Sequence, residues 1–223
     1  MKRNIAGLLC SILLGLLIGI LSIYIVFFKV LSPEDVTAFL QSDSPNVMER
    51  SVASPEETTR ADYIELSLQI AEYIKNGDYG SLSSLVHPVY GVVFTPYSTV
   101  NLSSDLCFSP GEVAAFASDE NTYVWGIADG TGDPLEMTVS SYFSQFVFDK
   151  DYTLAPVIGV NQILYTGNSL ENVTEIFPDA QFVDLSYPSS SAETPDWSTL
   201  RLVFEDYEGA PKLVGIIHCQ WTV

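Results

Sequence analysis

Residues 5 to 28 contain no charged side chain, and that run constrains this chain more than any other feature. As a helix, its 24 residues rise roughly 36 Å, enough to cross a hydrocarbon core of about 30 Å with some tilt. Lys2 and Arg3 precede the run, and Lys29 follows it with acids soon after. The positive-inside bias predicts a cytoplasmic N-terminus and an extracellular domain after Lys29. A cleaved secretory signal is the rival reading. Its apolar region would span about 7–15 residues and end in a small-x-small site. Val30-Leu31-Ser32 lacks that pattern, Pro33 follows, and Cys10 lacks the small residue a lipoprotein signal places shortly before it. The expectation is an uncleaved, single-pass anchor in the cell membrane. Gly7, Ser11, Gly15 and Gly19 recur every fourth position on one face, where small residues let two spans approach closely. A homodimer through the transmembrane helix is therefore a candidate association.

Beyond Lys29 the chain carries six basic residues and all 28 acidic ones, a net charge of 6 minus 28, or −22. That balance excludes nucleic acid as a partner, because phosphate binding needs a basic face. It also repels anionic lipid or wall polymer unless divalent cations intervene.

Residues 30–53 read as an extracytoplasmic tether rich in Ser, Pro, Asp and Glu, and residues 54–223 as one acidic α+β domain. Ser-Pro-x-acid recurs at Ser32, Ser54 and Ser109, each a helix-start signal in which hydroxyl and acid cap the first turn. The second opens the longest helix, 55–76, with Ile64, Leu68, Ala71 and Lys75 on one stripe and Leu66, Ile70, Tyr73 and Ile74 widening it. Gly77 is its stop, and Asp78 caps a second helix to Val86. Strands are expected at 91–95, 105–108, 123–127, 155–164 and 180–187, and helices at 110–117, 138–148 and 170–177. Residues 129–134 form a turn.

The C-terminal hairpin is the clearest β signal. Leu200, Leu202 and Phe204 alternate with polar residues, and the turn is Tyr207–Pro211. The returning strand places Leu213, Ile217, Cys219 and Trp221 on one face and Val214, Ile216, His218 and Gln220 on the other. Apolar residues on both faces imply a strand in the middle of a curved antiparallel sheet covered by the N-terminal helices.

This order of elements resembles the cone-shaped α+β fold of the nuclear transport factor two-like superfamily, over roughly residues 55–223. A tighter resemblance is to uncharacterised exported, membrane-anchored proteins of low-GC Gram-positive bacteria. It is carried by Leu85-Val-His-Pro88 with Gly91–Tyr97, Phe146–Tyr152 with Ala155–Gly159, Gly167-Asn-Ser169, Phe177-Pro-Asp179 and Gly215–Trp221. That group tends to place an acid between the last histidine and glutamine, where this chain has Cys219. The resemblance implies location and fold and brings no activity with it.

His87 and His218 are the two histidines, and no Gly-x-Ser-x-Gly accompanies them. His87 stands at a helix end, where a cation suits the dipole. His218 is the candidate pocket residue, with Gln220, Tyr90 or Trp125 gripping a ligand; a catalytic role would require a distant Asp to fold in beside it. No catalytic residue, cofactor or metal site is assigned: Asp129-Gly-Thr-Gly-Asp133 resembles only the start of a calcium loop. Cys107 and Cys219 are a candidate disulfide in an exported domain. The leading expectation is a non-enzymatic, membrane-tethered binding or assembly module. The alternative is a small-molecule pocket protein with hydrolase or isomerase activity. An open, polar pocket at His218 would favour the second, and a filled interior the first.

Overall fold

Helix α1 spans Pro55–Asn76 in the computed structural model, which describes residues 55–191 and 193–221, with side chains from residue 59 onward. The predicted membrane span with Gly7, Ser11, Gly15 and Gly19, and the tether, lie outside the described residues. Among the described residues no helix is long and apolar enough to cross a membrane. The buried stripe of α1 runs through Ser67, Ile70, Ala71 and Ile74. Ala71 belongs to the expected stripe, Ile70 and Ile74 were expected only to widen it, and Ser67 was in neither set; Lys75 turns outward and pairs with Asp151 at 2.8 Å. Gly77 stops the helix at φ +64°, where L-residues with a Cβ are strained. Asp78 caps α2 (Tyr79–Leu85) by accepting from the Ser81 amide at 3.0 Å.

Strands β1 (Val92–Thr95) and β2 (Leu106–Phe108) follow, then the short helix α3 (Pro110–Ala115), held by the predicted Ser109–Glu112 capping box. Gly91 has φ +71°, and a Cβ there would lie 2.6 Å from the Phe108 carbonyl oxygen. Only glycine lets the chain enter β1 so close to β2. Strands β3 (Thr122–Ile127) and β4 (Pro134–Thr138) pair as a separate two-stranded sheet. Sequence analysis found β3 and its turn but not β4. The predicted helix to Phe148 begins as α4 (Val139–Tyr142), capped by Thr138, and widens into a π-turn at Phe143–Val147.

The remaining elements are β5 (Val157–Val160), α5 (Val173–Ile176), β6 (Gln181–Tyr187), β7 (Ser198–Tyr207) and β8 (Ala210–Gln220). The main sheet is open and curved, in the order β2-β1-β8-β7-β6-β5. It is mixed rather than antiparallel, because β1 runs parallel to β8. Parallel neighbours need a long crossover, and everything between β1 and β8 supplies it. The β7–β8 turn is a two-residue loop with Glu208 at φ +56° and Gly209 at φ +83°, the geometry that matches strand twist.

Both faces of the sheet are covered. On one, Leu202, Phe204, Leu213 and Ile216 pack with α1, α2, α3 and the aromatic residues of β3 and the π-turn. On the other, Val203, Val214, Ile217 and Cys219 pack under Val173, Phe177 and Trp197. The predicted faces of β8 were wrong at Leu213 and Val214. A register shift against Val203 and Phe204 inserts one residue, so Leu213 joins Ile216 and His218 while Val214 joins Ile217 and Cys219. The described residues form one compact unit around this two-sided core.

Candidate functional site

His218 is 2% exposed and lies beside four residues far from it in sequence. Its Nδ1 is 3.1 Å from the Pro96 carbonyl, which only accepts, so Nδ1 carries a hydrogen. Its Nε2 is 3.3 Å from Ser198 Oγ and 3.6 Å from Asp149 Oδ1. Ser198 donates to Asp149 Oδ2 at 2.8 Å, and Tyr152 donates to Asp149 Oδ1 at 2.7 Å. Tyr152 and Ser198 are also 2.6 Å apart, and Phe146 closes the ring edge of His218.

These residue types recur in catalytic triads, but the proton directions differ. A triad serine gives its proton to histidine, and the carboxylate orients the other ring nitrogen. Here the Ser198 proton goes to Asp149, Nδ1 serves a backbone carbonyl, and Ser198 is 3% exposed. Burial pushes the Asp149 carboxyl up, yet His218, Tyr152 and Ser198 together outweigh it and hold the carboxyl below its ordinary value. Burial raises the Tyr152 hydroxyl far above the usual range.

A pH signature follows. A depressed carboxylate contributes stability that is present above its unfolded value, near pH ~4, and lost as pH falls through the folded value. Asp149→Asn should therefore cost about 1–3 kcal/mol at pH 7 and progressively less below about pH 4. Urea unfolding at pH 7, 5 and 3 measures this; a loss that stays constant would show that the negative charge contributes nothing.

The other sheet face holds a second network. Arg201 and Asp184 are directly opposite on β7 and β6, and both side chains are 0% exposed. Arg201 donates to Asp184 at 2.6 and 3.0 Å and to Glu171 at 2.5 Å, and its guanidinium lies 5.2 Å from the Phe182 ring centroid. Asp184 also accepts from the Leu164 amide at 3.2 Å. Burial pushes the Asp184 carboxyl up even beside Arg201. Glu171 Oε1 is buried with no hydrogen-bond partner. The network joins the sheet to the irregular segment 161–172.

The four predicted pocket residues do not meet. Trp125 is 0% exposed, stacked on Tyr142 at 3.8 Å, and donates from Nε1 to the Met137 carbonyl at 2.9 Å. Gln220 is half-buried at the end of β8, its carbonyl within 3.1 Å of where a Cβ on Gly167 would lie. Tyr90 is 64% exposed and stacks on His87 at 4.4 Å. His87 serves the turn into β1 rather than the helix end: its Nδ1 accepts from the amides of Val89 and Tyr90 at 3.2 and 2.9 Å.

The predicted disulfide is absent. Cys107 and Cys219 are both free thiols. Cys107 sits on β2 and Cys219 on β8, with β1 between, so the strands alone separate them by roughly 10 Å, beyond the reach of a disulfide. Cys219 is sealed, and burial pushes its thiol up to about 12; Cys107 is exposed and donates to the Tyr90 carbonyl at 3.1 Å.

Tyr90 and Cys107 meet elsewhere, at an apolar cleft of about 360 Å³. Val93 and Val214 form its floor on the sheet, and Ile176 and Phe177 a wall. Leu102, Tyr90 and Cys107 line it from the loop and edge strand, and Glu205 supplies a carboxylate. Leu102 is 57% exposed, so the rim of the cleft presents apolar surface to solvent. Among the described residues no cluster of His, Cys, Asp and Glu is arranged to hold a metal ion. No protein-family model, curated protein or solved structure matches this chain.

Proposed function

We propose that this chain is a membrane-tethered extracytoplasmic binding module whose site is the apolar cleft. The observation that carries the reading is a contrast between two places. His218 is enclosed by Phe146, Ser198 and Asp149, whereas the cleft is open, apolar and rimmed by exposed Tyr90 and Leu102. Concave apolar surface with a few polar groups is where ligands bind. The hydrolase or isomerase alternative needs a free nucleophile or base, and the Ser198 proton is already committed to Asp149. The cone-shaped fold proposed from the element order has support in the N-terminal helices lying against one sheet face.

The cleft is tested with Cys107→Trp, which fills it from an exposed edge position. Small molecules that raise the melting temperature of wild type should lose that effect in this variant and keep it in His218→Ala. The opposite pattern would promote the enzyme reading.

The tether rests on the uncharged run at 5–28 and on the charge asymmetry around it. Protease added to intact, wall-stripped cells should digest residues 30–223, and the undigested protein should retain residues 5–28. Full protection, or a mature chain beginning after Lys29, would defeat this.

A further inference from the structure

We propose that the ligand of the cleft is a small ammonium ion on an apolar tail. The proposal rests on the cleft being the binding site. Tyr90 stacks one ring face on His87 at 4.4 Å and 14°, yet is 64% exposed, so its other face stays open beside the cleft. The Glu205 carboxylate lines the same cleft and, among the described residues, makes no hydrogen bond or ion pair. Lys212 is its cross-strand neighbour but reaches the Ser84 carbonyl instead, at 2.8 Å. An open aromatic face and an unpaired carboxylate on one apolar surface are the two elements of ammonium recognition.

The alternatives fail on charge. An anionic head would meet Glu205 within a domain that carries −22 beyond Lys29. A wholly apolar ligand would strip water from Glu205 and return no partner to it, which costs free energy. Val93, Val214 and Phe177 take the tail, and a volume of about 360 Å³ limits the ligand to a small one.

The test reads Cys107, which lines the cleft, by the rate of maleimide labelling of full-length protein in its native membranes. The Cys107→Ser protein defines the background. Octylammonium, octanol and octanoate share one tail and differ in charge. Octylammonium should protect Cys107 at about tenfold lower concentration than octanol, and octanoate should protect least. Glu205→Gln should bring octylammonium down to the level of octanol while most of the negative charge remains, which separates the site from general attraction of cations. A cysteine placed at Leu154 in the Cys107→Ser background, 70% exposed and outside the cleft, should gain no protection. Equal protection by all three probes would defeat the ammonium proposal and leave the cleft reading standing, as would a charge preference that survives Glu205→Gln. No protection by any probe would defeat both.

Discussion

Replacing Arg201 with methionine should cost the domain about 3–5 kcal/mol, because it strips the cation that pairs with buried Asp184 and largely buried Glu171. Asp184 is 0% exposed and Glu171 11%, so neither can recover its hydration without opening the structure. Asp184 would be driven to bind a proton, and the penalty should shrink as pH falls. The sign follows from the raised Asp184 carboxyl: the variant's native state binds protons more readily than its unfolded state. The Arg201→Met, Asp184→Leu double variant should recover part of the loss, since a buried charge pair contributes little compared with well-packed apolar groups. Urea midpoints at pH 7 and pH 5 measure all three proteins. A single-variant loss below about 1 kcal/mol would mean that water reaches the network and solvates the carboxylates.

That network shows what the sequence hid. Arg201 was visible as a polar position alternating with Leu200 and Leu202, and the alternation put it on the face opposite the helices. Apolar residues on both faces of β8 implied cover on this face as well; what was not visible is which segment supplies it. The cover is the irregular segment 161–180, which has no periodicity to reveal a buried side, and only α5 within it is regular. The available signal was Asp184, a lone acid inside Phe182-Val-Asp-Leu185 in a chain with few cations. Two such charges on neighbouring strands are expected to pair.

The His218 network was legible in part. The central strand, the burial of His218 and the need for a distant Asp all follow from residues 213–221. Asp149 could not be chosen in advance from 28 acids, because a π-turn rather than a regular helix delivers it. Cap signals were read well, since serine, proline and acid act within one turn: the Ser109 box and the Asp78 cap both form. Long-range register was read poorly. The residue inserted at Val214 and the parallel pairing of β1 with β8 depend on which strands meet, and local pattern carries no record of that.

Trp125→Ala should cost about 3–5 kcal/mol, the usual range for emptying a large aromatic site in a core. Sequence reasoning offered Trp125 as a ligand-gripping side chain, and the structure makes it the anchor of the small sheet instead. It projects from β3 into a cluster with Phe94 at 5.9 Å, Phe108 at 5.6 Å and Tyr142 at 3.8 Å. Tyr123, Leu135 and Met137 of the β3–β4 hairpin are only partly buried against the core, and Val124 and Ile127 are exposed, so Trp125 is its one fully buried anchor among the described residues. Losing the indole should therefore loosen this hairpin before the main sheet. Limited proteolysis should cut the variant within Asp129–Asp133 under conditions where wild type resists. Trp125→Phe should keep most of the stacking and lose the bond to the Met137 carbonyl, costing about 1–3 kcal/mol for the acceptor left buried. If Trp125→Ala instead abolished ligand protection of Cys107 while the hairpin stayed resistant to protease, Trp125 would belong to the binding site and the assignment of that site to the far face of the sheet would fall.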